Sequence, residues 1–262
     1  MSKTIKLFSP LLIFFFFLFC SVNAEAQHRQ YIELKVYHTA DTAQMNSINL
    51  FLRSAYLPAL HRQGIKTVGV FTPVGNDTAA DKRIYVLTPF SSLKKMEALP
   101  HKLEKDAQYQ NAGSAYLNAA HNAASYKRYE TILLQAFELM PKVEMPALTG
   151  TKSNRVYELR SYESPTDKIF KNKVQMFNQG GEIDIFKRLG FNAVFYGEVL
   201  FGSKMPNLMY MTSFENKAAR DEHWKAFGED PAWKNLSARP EYQNNVSKIE
   251  IVFLTPTEYS DL

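Results

Sequence analysis

The sequence predicts an α+β protein: two tandem β-α-β-β-α-β modules packed sheet to sheet around one barrel-like core. Three observations predict it. The chain repeats itself, because Tyr31-Ile32-Glu33-Leu34-Lys35-Val36-Tyr37 returns as Val156-Tyr157-Glu158-Leu159-Arg160-Ser161-Tyr162. Glu33, Leu34, Lys35 and Tyr37 answer Glu158, Leu159, Arg160 and Tyr162 at an offset of 125. Thr88 and Phe90 answer Thr212 and Phe214, and Asp106 and Tyr109 answer Asp230 and Trp233, all at 124. Offsets this steady over three separated segments indicate a duplication. The order of periodicities is the same in both copies, and several strands are apolar on both faces, which implies burial on both.

The elements follow in order. In the first copy, residues 31–38 alternate and carry aromatic and β-branched side chains, so they read as a strand. Residues 43–63 have helical spacing and stop at Gly64. Residues 65–73 and 81–90 read as the second and third strands, 91–124 as a long helical region and 126–140 as the fourth strand. Residues 141–154, with Pro146 and Gly150, read as a linker. In the second copy, residues 155–163 form the first strand. Residues 167–189 are helical with an interruption at Gly180-Gly181, and Gly190 ends them. Residues 191–201 and 207–214 are strands two and three. Residues 215–227 are a helix opening near Asn216, 231–236 a short helical turn, and 245–254 the last strand.

This order is the ferredoxin-like split unit, twice. A four-stranded sheet with both helices on one face leaves its other face bare. Runs such as Ala193-Val194-Phe195-Tyr196 and Ile249-Glu250-Ile251-Val252-Phe253-Leu254 are too apolar for that face to meet water. Fusing two units lets each cover the other, a pseudo-dimeric α/β barrel within one chain.

The 262 residues are 45% hydrophobic and 22% charged, values that support a folded core. The net charge of +5 is scattered, so nucleic acid is not an expected partner. Residues 1–26 read as a signal peptide. Lys3 and Lys6 precede an unbroken apolar run at residues 11–20, and Ala24-Glu25-Ala26 supplies the small-residue cleavage pattern, with cleavage after Ala26 or, as second choice, after Ala24. The run is too short for a membrane span of about 20 residues. Lipidation at Cys20, the only cysteine, is disfavoured by the bulky Phe19 before it. The expected organisation is therefore an exported, periplasmic or secreted protein with a signal at 1–26, modules at 27–140 and 155–262, and the linker at 141–154.

The segment Tyr157-Glu158-Leu159-Arg160-Ser161-Tyr162, followed by Glu222-His223-Trp224-Lys225-Ala226-Phe227 and Asp230-Pro231-Ala232-Trp233, resembles the NIPSNAP family of the dimeric α/β-barrel superfamily. The resemblance covers about residues 155–255 well and 31–140 more loosely. It implies the fold and leaves the activity undefined, since superfamily relatives include small monooxygenases, haem-degrading enzymes and proteins without known activity. In the first copy Lys35 replaces the arginine and Tyr109 stands for Trp233, so that copy is expected to be mainly a structural partner.

The candidate ligand-binding residues are Arg160, Tyr162, His223 and Trp224. Arg160 and Tyr162 share a strand face with Glu158, so Arg160 either holds an anionic ligand or pairs with Glu158. His223 and Trp224 are adjacent on a helix and project about 100° apart, so they cannot both face one cleft. The simpler reading packs Trp224 on the sheet and turns His223 to water. No zinc-type histidine spacing, phosphate loop or nucleophile elbow occurs, so no metal is expected and no cofactor is indicated. Three functional readings stand: binding of a small hydrophobic or aromatic ligand in the second module, a monooxygenase or haem-linked enzyme, and a structural or partner-binding module. Further copies of the chain are an expected partner class, as a homo-oligomer.

Overall fold

The computed structural model describes residues 28–262; the expected signal segment, its cleavage sites and Cys20 lie outside the described residues. The first module runs β1 (Tyr31–Thr39), α1 (Thr42–Phe51), a π-helical turn (Leu52–Tyr56), α2 (Leu57–Arg62), β2 (Gly69–Pro73), β3 (Lys82–Phe90), α3 (Leu93–Glu104), α4 (Ala107–Ala112), α5 (Ser114–Leu117) and β4 (Arg128–Ala136). The second runs β5 (Val156–Glu163), α6 (Asp167–Phe177), α7 (Glu182–Arg188), β6 (Asn192–Phe201), β7 (Asn207–Phe214), α8 (Lys217–Glu229), α9 (Pro231–Ser237) and β8 (Lys248–Pro256).

The strands form one closed antiparallel barrel in the order β1-β3-β2-β8-β5-β7-β6-β4. Each module contributes the same four-strand order, and the repeat is kept in register: Glu33 lies opposite Thr88 and Glu158 opposite Thr212. The modules do more than cover each other. They join edge to edge, β2 to β8 through Phe71, Thr72 and Pro73, and β4 to β6 through Leu133 to Ala136. Closure leaves no open strand edge in the barrel, which removes the usual site of strand addition.

Alternation along each strand then builds three cores. Inward residues of both modules, among them Leu34, Phe71, Leu134, Leu159, Met211 and Leu254, fill the barrel. Outward residues meet the helices, giving one core in the first module and an aromatic-rich one in the second. Strands buried on both faces were expected from their lack of alternation; β7 is buried along its whole length, whereas in β8, one of the runs that predicted it, Ile249 and Ile251 are exposed.

Several elements differ from their sequence-based bounds. Residues 65–68 are not strand, because the Gly64 and Ile65 amides turn back to cap α2 on the His61 and Leu60 carbonyls. The helix expected at 43–63 carries a π turn. Pro58, at the start of α2, has no N–H to donate and crowds the preceding turn, which loosens the ladder there. The region 91–124 breaks into α3, α4 and α5, where Asp106 caps α4 and Gly113 ends it. β4 stops at Ala136 and β8 shifts to Lys248–Pro256. Gly181, at φ 94°, separates α6 from α7 where the glycine pair predicted a break.

Candidate functional site

In both modules the face of the first strand that meets the helices carries an acid and, two residues on, a base: Glu33 and Lys35 on β1, Glu158 and Arg160 on β5. The helix packed over them decides what each pair can do.

In the second module that helix is α8, capped by Asn216, whose side chain accepts from the Ala219 amide. It brings Arg220 and Trp224 down onto Glu158. The Glu158 carboxylate is fully buried and accepts from Arg160 Nε at 2.7 Å, from Arg220 Nε at 2.7 Å and Nη2 at 2.8 Å, and from Trp224 Nε1 at 2.8 Å. Burial by itself would raise the Glu158 carboxyl, but the two guanidinium groups outweigh it and hold the group below the usual carboxylate range. Arg160 also donates to the Tyr162 hydroxyl at 3.0 Å, which lies 2.8 Å from the Tyr210 hydroxyl, and its guanidinium stacks 3.6 Å from the Trp224 ring centroid. Beside this cluster Lys173 donates to Glu182 at 2.8 Å, both buried, and burial raises the Glu182 carboxyl.

The structure thus brings Arg160, Tyr162 and Trp224 together and leaves His223 apart. His223 Nδ1 donates to the Ala219 carbonyl at 2.7 Å, and its ring sits against Phe191 and Phe214. Of the two roles open to Arg160, the observed contact is the ion pair with Glu158. Sequence reading missed Arg220, which answers Glu158 from 62 residues away, and the Lys173–Glu182 pair; nothing local in the sequence signals either.

The first module is open where the second is filled. Helix α3, capped by Ser92, holds the equivalent position. At the 124-residue offset Met96 stands where Arg220 does, and Pro100 where Trp224 does. Neither reaches the strand pair with a polar group or an indole ring. A cleft of about 620 Å³ remains over Glu33 and Lys35, walled by Leu99, Leu103 and Leu117 and flanked by Tyr56 and Tyr109. Lys35 Nζ lies 3.2 Å from Glu33, so the floor is a paired, neutral dipole. Burial, reinforced by the charge of Glu33, pushes the Tyr56 hydroxyl well up, so it stays a hydrogen-bond donor. The volume lies in the range of small-molecule sites, as does an apolar wall with few polar groups. The expectation that the first copy is mainly structural made no allowance for this cleft. The signal that could have found it was the replacement of Trp224 by Pro100 within an otherwise aligned repeat.

The NIPSNAP family model matches residues 157–261. These residues form a NIPSNAP domain. No curated protein matches the chain in sequence. Among solved structures, a candidate monooxygenase from Lactobacillus acidophilus NCFM is similar over 87% of this chain and 94% of its own, at 12% identity and a TM-score of 0.59. A second candidate monooxygenase, from Fusobacterium nucleatum subsp. nucleatum, gives 88% and 93%, 7% identity and a TM-score of 0.58. A NIPSNAP family protein from Agrobacterium tumefaciens covers 45% of this chain and 98% of its own at 20% identity, with a TM-score of 0.37. The two full-length likenesses show the dimeric α/β-barrel fold and, at that identity, nothing further. Within the NIPSNAP domain the Arg160–Glu158 cluster takes up the opening motif and the helix tryptophan together. Among the described residues no group of three or more His, Cys, Asp or Glu could hold a metal, and no helix is long and apolar enough to cross a membrane.

Proposed function

We propose that this NIPSNAP protein is exported and binds a small, mainly apolar aromatic molecule in the helix–sheet cleft of its first module. The observation that carries this reading is the contrast at two aligned positions: Arg220 and Trp224 seal the second cleft, whereas Met96 and Pro100 leave the first open over a polar floor. The ring of a ligand packs on Leu99, Leu103 and Tyr109, and a single hydroxyl on it donates to Glu33 or accepts from Tyr56. The second module serves as the closed counterpart, its ion-paired and aromatic interior fixing the shared barrel.

The probe is 2-naphthol, an uncharged aromatic with one hydroxyl, titrated calorimetrically into the wild-type chain and into Met96→Arg/Pro100→Trp, which rebuilds the sealed arrangement. Saturable one-to-one binding to the wild type, lost in the double variant with its thermal transition retained, is expected. Binding that survives the double variant, or that disappears instead in Tyr162→Phe, overturns the placement; no binding to the wild type overturns the reading. Export is read from the three-part layout of residues 1–26. Mature protein recovered outside the cytoplasm of a secreting host is expected to begin at Gln27, and recovery of a chain that keeps Met1 counts against it.

A further inference from the structure

On the other flank of α3 from the first-module cleft lies a second concavity with a different chemistry. It has a volume of about 310 Å³ and is bounded by the turn after α2, the end of β3 and α3. Lys66 lines it from the turn. Lys95 and Lys102 line it from the helix, where they share one stripe with Leu99. All three lysines are exposed, and among the described residues their ammonium groups make no ion pair and no hydrogen bond. No acid lines this space. Glu97 and Glu104 of α3 line the first-module cleft instead. The Gln63 amide and the Thr67 and Ser91 hydroxyls add neutral donors to the wall.

The duplication shows that the fold does not require these cations. Both modules end the preceding helix at a left-handed glycine, Gly64 at φ 81° and Gly190 at φ 74°. In both, the next amide returns to the carbonyl five residues back at 3.0 Å, Ile65 to Leu60 and Phe191 to Phe186. The turns therefore correspond residue for residue, and Asn192 stands where Lys66 does. At the 124-residue offset, Ala219 and Ala226 stand for Lys95 and Lys102. The second module also fills the space. His223, at the position of Leu99, lays its ring against Phe191 and Phe214, and a Cβ on Gly190 would come within 3.3 Å of its Nε2. Glu215, at the position of Ser91, is held by the Thr149 and Gly150 amides of the linker. One copy thus has a filled joint without lysines, and the other an open cleft with three.

Three like charges around one cleft repel each other, and an anion that meets them removes the repulsion. The lysine ammonium is a compact point charge with three donors, suited to carboxylate and phosphate oxygens. A monovalent anion would leave most of that charge unmatched. The volume sits at the lower end of the range for small-molecule sites. We propose that this cleft binds a compact organic anion carrying two or three carboxylate or phosphate groups, held by Lys66, Lys95 and Lys102. The site goes beyond the aromatic-binding cleft of the same module. Leu99 is the wall the two share, and their ligands differ in charge.

The probes are tricarballylate, a tricarboxylate on a short carbon chain, and inorganic pyrophosphate. Each is titrated calorimetrically into the full chain at constant ionic strength. Saturable one-to-one binding of at least one probe is expected, with acetate weaker by about tenfold or more. Lys95→Ala/Lys102→Ala, which copies the second module, is expected to weaken the probe about tenfold, as the loss of two exposed ion pairs would, with its thermal transition retained. Lys168→Ala/Lys171→Ala removes the same net charge from exposed positions on α6 and is expected to change the affinity by less than about twofold. Binding of tricarballylate alone, or of pyrophosphate alone, supports the site and tells which oxyanion it takes. Binding of neither probe, equal affinity for acetate, or equal losses in the two lysine pairs would each overturn the proposal.

Discussion

Glu158 shows how one side chain organises a module. Its carboxylate gathers the guanidinium of Arg160, two residues on in the same strand, and the guanidinium and indole of Arg220 and Trp224, 62 and 66 residues away in α8, and removing it would strand Arg160 inside the protein. Breaking a buried ion pair on one side costs about 3 kcal/mol, so Glu158→Gln is expected to lower the unfolding free energy by about that much at neutral pH, as measured by urea titration. The pH dependence follows from the direction of its shift. Its folded carboxyl lies below the usual value, so the stabilisation is full above the unfolded value of about 4.3 and is lost as pH falls through the folded one. The gap between wild type and Glu158→Gln should therefore close below about pH 4. Glu182 behaves oppositely. Burial, only partly offset by Lys173 and Arg160, raises its carboxyl. Its contribution is present below the unfolded value and lost as pH rises through the folded one, so the wild type should lose ground to Glu182→Gln with rising pH. Parallel slopes for the two variants would contradict this assignment.

At the scale of elements, the legible features were those set by local chemistry. The repeat, the strand faces and the cap at Asn216 are all visible in residue types. So is the break at Gly180-Gly181, and it is open to test. Gly181 holds φ at 94°, and a Cβ there would meet nothing, so Gly181→Ala carries only the backbone cost of about 1 kcal/mol. At Gly180 an added Cβ would lie 2.5 Å from the Met176 carbonyl oxygen, so Gly180→Ala is expected to cost clearly more. Equal effects in denaturant titrations would mean that the turn relaxes at both positions. What the sequence hid was long-range. Neither the pairing of Arg220 with Glu158 nor the filling of one cleft and not the other follows from periodicity. Both depend on which residue a helix aims at a strand more than 60 positions away. The fraying of the 91–124 region into three helices was hidden for a different reason: Pro100 sits inside α3 without ending it, while Asp106 and Gly113 do the breaking.

The whole molecule raises the question of whether two modules, each with its own helix-face core, unfold separately. The barrel argues that they do not. Pulling the halves apart would open both inter-module seams, leaving β2, β8, β4 and β6 each with an unpaired edge. It would also expose Phe71, Leu134, Val199, Leu254 and their neighbours to water, at about 1.5–3 kcal/mol for each large side chain. Several such terms exceed the 5–15 kcal/mol that holds a typical domain together, so neither half has the margin to persist once the other is lost. Both tryptophans, Trp224 and Trp233, lie in the second module, which makes their fluorescence a probe of that half, whereas far-UV circular dichroism reports on both. The two signals are expected to fall together through one urea transition. A tryptophan midpoint displaced from the dichroism midpoint would show that the helix-face cores, rather than the shared barrel, set the cooperative unit.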